Sequence, residues 1–76
     1  MTIEFFEKKG WIYLVEVDGW KYFEYESDRN ISLYFYEPYL KIYFYDPINM
    51  ELNKWFDGRC LSEYIYHAIH ETIIGK

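Results

Sequence analysis

Residues 31–45 read Ile-Ser-Leu-Tyr-Phe-Tyr-Glu-Pro-Tyr-Leu-Lys-Ile-Tyr-Phe-Tyr, two runs of period two broken at Glu37-Pro38. Strict alternation is the mark of a strand with one buried and one wetter face. Pro38 has no N–H to give a ladder and belongs at the turn. A two-residue loop there pairs Tyr36 with Tyr39, Phe35 with Leu40 and Leu33 with Ile42, and directly paired residues share a face. One face of the hairpin then carries Ile31, Leu33, Phe35, Leu40, Ile42 and Phe44, the expected core side. The other carries Tyr34, Tyr36, Tyr39, Lys41, Tyr43 and Tyr45. A chain with this hairpin is committed to a sheet with two unlike faces.

Upstream, three further strands are expected. Thr2–Glu7 and Trp11–Val17 are separated by Lys8-Lys9-Gly10, which suits a three-residue hairpin loop with Gly10 in the left-handed region. Asp18-Gly19, a strong type I′ signal, joins the second to Trp20–Glu26, pairing Val17 with Trp20 and Val15 with Tyr22. The facing of these strands depends on the loop at Ser27-Asp28-Arg29-Asn30. Four residues put Val15, Val17, Trp20 and Tyr22 coreward, with Glu24 and Glu26 beside them. An odd length sends Ile12, Leu14, Phe23 and Tyr25 coreward and both glutamates outward. A one-residue shift inverts every side chain, so both registers stay open.

Beyond the sheet the period changes. Asp46-Pro47 resembles an N-cap followed by proline at the first helical position. Ile48, Leu52, Trp55 and Phe56 share a helical face, although Ile48, Met50 and Leu52 also alternate; the segment 46–58 is expected to be a short helix or turn ending at Asp57-Gly58. From Arg59 to Ile74, Leu61, Ile65, Ala68, Ile69 and Thr72 recur at helical spacing, with Gly75 as C-cap. The expected architecture is α+β: a five-stranded antiparallel meander with a C-terminal helix on its Ile/Leu/Phe face.

With 76 residues the chain has room for a single domain, spanning 1–76. Such a chain buries only roughly 60 to 65 per cent of its unfolded surface, so its core must use large side chains. Aromatics make up 25% of it, and each buries about 150–250 Å². One cysteine, Cys60, allows no internal disulfide, no membrane-length apolar run is present, and the first residues lack the basic and apolar pattern expected of a secretory leader. The expected location is the cytoplasm, the host's if the chain is viral.

Few residues suggest chemistry. Glu63, His67 and Glu71 recur every four positions on the last helix, with His70 adjacent, a spacing that can share a metal. The order is not HExxH, and a solvated helix face accounts for the same residues. Cys60 lacks a base and an orienting group nearby and reads as a core residue. No phosphate loop or cofactor motif occurs, and neither a metal nor a cofactor is expected; a small metal-dependent enzyme using the helix His and Glu residues is the weakest of three readings.

Binding is the stronger expectation. Thirteen acidic residues oppose eight basic ones, a net charge of −5. Direct nucleic-acid binding normally needs a basic footprint, and this chain has none. The same charge suits a partner with a basic surface, including a nucleic-acid-binding effector. Tyrosine supplies rigid contact area and a hydroxyl at small entropic cost. The candidate partner-binding residues are Glu24, Glu26, Asp28, Tyr34, Tyr36, Glu37, Tyr39, Tyr43, Tyr45 and Asp46. The rival is a homodimeric structural or regulatory subunit associating through the tyrosine face.

In size, acidity and one-domain build the chain resembles phage-encoded inhibitors, the anti-CRISPR and DNA-mimic antirestriction proteins. The resemblance is one of composition over the whole chain and involves no motif. It implies a non-enzymatic inhibitor of a nucleic-acid-handling complex, with carboxylates placed where phosphates would sit.

Overall fold

A computed structural model describes residues 2–39, 41–56 and 63–74. In chain order the elements are α1 (Ile3–Lys8), β1 (Trp11–Val17), β2 (Trp20–Tyr25), β3 (Ser32–Tyr36), β4 (Lys41–Tyr45), β5 (Lys54–Phe56) and α2 (Glu63–Ile73), with 3₁₀ turns at Glu37–Tyr39 and Met50–Leu52. The strands lie in sequence order, each antiparallel to its neighbour. The body of the sheet is four strands, β1 to β4, and β5 adds a three-residue edge. Leu40, Asp57-Gly58, Cys60, Leu61 and Gly75, and the side chains of Tyr39, Glu63, Ile65 and Ile69, lie outside the described residues.

The five strands expected from sequence are therefore not reproduced, because Thr2–Glu7 is not a strand. Thr2 caps α1 instead, its Oγ1 accepting from the Phe5 N–H at 3.1 Å. Lys9 and Gly10 close the helix by donating to the carbonyls of Phe6 and Glu7. Gly10 does take a positive φ of 97°, but as the exit from a helix rather than the corner of a hairpin. Six residues cannot hold a helix by propensity alone. Burial does so: Phe6 is fully enclosed, packed on Phe23, Phe35 and Tyr66.

The Asp18-Gly19 turn forms as expected, with φ of 52° and 86° and Val17 opposite Trp20. The β3–β4 hairpin keeps its expected faces in a different register. Tyr36 stands opposite Lys41 rather than Tyr39, Phe35 opposite Ile42, and Leu33 opposite Phe44. The 3₁₀ turn lengthens the connection, and the pairing moves by two residues. An even shift preserves side-chain parity, so Ile31, Leu33, Phe35, Ile42 and Phe44 are all buried.

Two local features settle the orientation of β1 and β2. The β2–β3 connection is five residues: the Tyr25 N–H donates to Ile31 O at 2.9 Å, and residues 26–30 form the loop. The Asp28 carboxylate accepts the Asn30 N–H at 3.1 Å within it. Odd length places Phe23 opposite Leu33 and buries it completely, with Trp20 opposite Tyr36 and Tyr22 opposite Tyr34. The odd-loop alternative thus holds for β2 and fails for β1. A β-bulge between Tyr13 and Val15 changes the phase of β1 midway. Trp11 and Tyr13 share the core face with Tyr25 and Phe23, while Val15 and Val17 pair with Tyr22 and Trp20 on the other side. Leu14, expected coreward on that alternative, is instead 46% exposed.

Both helices pack on the same face. Among the described side chains of α2, Tyr66 is fully buried against Phe5, Phe6 and Phe44. Of the expected stripe Leu61, Ile65, Ala68, Ile69 and Thr72, the two described side chains, Ala68 and Thr72, are exposed. Tyr66, His70 and Ile74, one turn apart, face inward to differing depths. A tyrosine wins because its hydroxyl meets a partner there: the Trp11 indole N–H donates to it.

Candidate functional site: the outer face of the sheet

With both helices on one side, the opposite side of the sheet carries Trp20 and Tyr22 from β2, Tyr34 and Tyr36 from β3, and Tyr43 and Tyr45 from β4. All six are half-buried. Their rings make one pair, Trp20 with Tyr36, and one run of four from Tyr22 through Tyr34 and Tyr43 to Tyr45. Trp20 and Tyr36 have centroids 5.1 Å apart, Tyr22 and Tyr34 4.7 Å, Tyr34 and Tyr43 6.1 Å with near-parallel planes, and Tyr43 and Tyr45 6.4 Å. The first three are cross-strand pairs, the unit by which sheets are stabilised, and Tyr43 and Tyr45 are neighbours along β4. Val15 and Val17, 48% and 45% exposed, extend the apolar surface onto β1. A shallow groove of about 350 Å³ runs among Trp20, Tyr22, Tyr34 and Tyr43.

Of the residues expected to bind a partner, Tyr34, Tyr36, Tyr43 and Tyr45 come together here. Glu24 shares the face, opposite Ser32, and holds Arg29 at 2.6 Å. Glu26 and Asp28 are exposed in the loop at the same end of the sheet. The backbone of Tyr39 lies in the 3₁₀ turn at the opposite end. Glu37 turns the other way, toward α1, where Lys21 holds it at 2.6 Å and Glu16 at 3.3 Å. The hydrogen bond from Lys21 holds the Glu37 carboxyl below its ordinary range, and the same bond is the main cause raising the Lys21 ammonium. Asp46 is a correction. It is only 7% exposed, and its Oδ1 accepts the N–H groups of Ile48 and Asn49 at 2.9 and 3.0 Å. Its carboxylate caps the turn after β4 and is not presented to a partner. The expected cap at Asp46-Pro47 is therefore real, but it opens a turn.

Sequence reasoning left out Trp20 and Tyr22, which line the groove, and Val15 and Val17. A signal for the first two was present. Pointing Trp20 and Tyr22 inward would have buried Glu24, a cost that favours the odd loop. The bulge that turns out the two valines had no such signal.

Of the helix residues considered for a metal, His67, His70 and Glu71 have described side chains. His67 and Glu71 are exposed, while His70 is half-buried with its ring 5.9 Å from that of Tyr25. Its Nδ1 lies 3.1 Å from the Tyr66 hydroxyl. Among the described residues no three His, Cys, Asp or Glu side chains stand close enough to hold a metal ion. The Tyr66 oxygen already accepts from Trp11, so its own O–H is left to donate, which assigns Nδ1 of neutral His70 as acceptor. Burial pushes the His70 pKa down and that of the Tyr66 hydroxyl up, both in favour of the neutral forms this chain of bonds needs.

Among the described residues no helix is long and apolar enough to cross a membrane. Comparison with family models, curated protein sequences and solved structures returns no match.

Proposed function

We propose that the protein is a non-enzymatic binding module that docks its outer sheet face on a basic protein surface, in the manner of an inhibitor of a nucleic-acid-handling complex. The observation that carries the reading is the gathering of six aromatic rings on the side of the sheet opposite both helices. Clustered, rigid tyrosine and tryptophan side chains are the residues that dominate protein interfaces. Glu26 and Asp28 border one end of that face and Asp18 the other, all exposed. Carboxylates so placed steer a basic partner and suppress association with acidic ones. The net charge of −5 also works against a second copy docking on the same face, because like fields repel.

The test is capture of partners from the host on immobilised protein, with Tyr34→Ala/Tyr43→Ala as the paired bait. A basic, nucleic-acid-handling protein should be retained by the native bait and lost from the variant, and its affinity should fall steeply between about 50 and 500 mM salt, over which the Debye length shortens about threefold. Affinity unchanged across that range removes the electrostatic part of the reading. A stable dimer in sedimentation, broken by the same two substitutions, would replace it with self-association.

A further inference from the structure

We propose that the groove among Trp20, Tyr22, Tyr34 and Tyr43 is a guanidinium site, taking an arginine side chain of the docked partner; this rests on the binding-module reading above. Among the described residues the groove lining is aromatic: one indole and three phenols, drawn from three adjacent strands. Its volume of about 350 Å³ lies at the small end of ligand pockets, which run from about 300 to 1,000 Å³. The planes of Tyr34 and Tyr43 lie 24° apart and those of Tyr22 and Tyr34 51° apart, so the walls offer ring faces in more than one direction.

The faces of such rings are electronegative and attract a cation seated over them, indole most strongly. Charge around the groove points the same way. Glu24 shares the face and Glu26, Asp28 and Asp18 border its ends, against Lys41 on the face and Arg29 held by Glu24. Among the described residues just named, the face and its ends therefore carry four negative and two positive side chains.

Among the described residues no carboxylate lines the groove itself, and this selects between the two cationic side chains. A lysine ammonium is compact and strongly hydrated, and it would lose water here without gaining a carboxylate. A guanidinium is planar and weakly hydrated and stacks on aromatic faces, so it gains from the rings alone. Stacked nucleic-acid bases would use the same ring faces, but they bring phosphates toward an acidic border.

The experiment titrates the whole protein with hexa-arginine, hexa-lysine and hexathymidylate, followed by NMR of the tyrosine and tryptophan ring signals at fixed ionic strength. Hexa-arginine should shift the signals of Trp20, Tyr22, Tyr34 and Tyr43 and bind about tenfold more tightly than hexa-lysine. Tyr34→Phe keeps the ring and should keep that preference. Tyr34→Ala should lower arginine affinity to the lysine level, with native-like dispersion of the variant's amide signals reporting that the fold is intact. Equal affinity of the two peptides in the native protein overturns the guanidinium site and leaves charge-driven docking standing. Binding of neither peptide overturns both. Shifts of the same rings by hexathymidylate at equal or higher affinity overturn it in favour of base stacking.

Discussion

Tyr66 shows how one residue can decide where an element sits. Its ring fills the space between the helices and the sheet, and its hydroxyl bridges the Trp11 indole to His70. Trp11 is only 2% exposed, so its N–H has no solvent to turn to. Removing the hydroxyl alone, as Tyr66→Phe, keeps the ring contacts but leaves a buried donor without an acceptor, which costs about 1–3 kcal/mol. Urea unfolding of the variant should show that loss with an unchanged slope. A variant as stable as the native protein would show that the Trp11 N–H is satisfied in another way. Alanine scanning of the helix's expected stripe would have missed this residue, since Ala68 and Thr72 face solvent.

Among the elements, the β1–β2 hairpin carries the most local specification. Gly19 sits at φ 86°, and a Cβ there would come within 2.8 Å of the Tyr36 ring. The turn thus serves two ends: it reverses the chain, and it leaves room for a ring of the outer face to lie over it. Gly19→Ala should cost about 1–2 kcal/mol from the left-handed backbone alone and should also displace Tyr36 from Trp20. Thermal unfolding reads the first effect and the Tyr36 ring chemical shifts the second. A variant with native stability and unshifted Tyr36 signals would contradict this account of the turn. Further along β1 the bulge exposes Leu14 and moves Val15 and Val17 to the outer face. An edge strand that is bulged and twisted is a poorer template for edge-to-edge pairing.

For the whole molecule, the bonds from Trp11 through Tyr66 to His70 tie the first strand to the last helix, so a proton on His70 bears on global stability. Burial lowers the His70 pKa from its ordinary 6.5. The unfolded chain then takes up a proton at a higher pH than the folded one, and stability rises with pH across the interval between the two values. Stability should accordingly be complete above about 6.5 and decline as pH falls from there toward the lower folded value. In His70→Gln that part of the decline should vanish. Denaturation midpoints of both proteins at pH 7.5, 6.5, 5.5 and 4.5 give the comparison, and parallel curves would show that the acid sensitivity arises elsewhere. Glu37 acts at lower pH with the same sign, because its carboxyl is held below 4.5 by Lys21 and its contribution is lost on acidification.

The amino-acid sequence by itself determined the two faces of the β3–β4 hairpin and the type of the Asp18-Gly19 turn. It also determined that a helix follows the sheet. Each is written in a local period or a local dihedral requirement, and the hairpin faces survived a register change because the shift was even. Four of the six rings of the candidate site, Tyr34, Tyr36, Tyr43 and Tyr45, were legible for that reason. Tertiary structure alone decided the rest. The phase of β1 and β2 is a parity, set by one odd loop at residues 26–30 and one bulge before Val15, and a single residue in either inverts it. That parity brought Trp20 and Tyr22 to the outer face. The first segment alternates well enough to read as a strand, and it is a helix because a cap at Thr2 and a buried site for Phe6 outweigh the β preference of its side chains. Asp46 reads in the sequence both as a cap and as a partner-binding charge; the folded chain buries it, with its carboxylate accepting the N–H groups of Ile48 and Asn49.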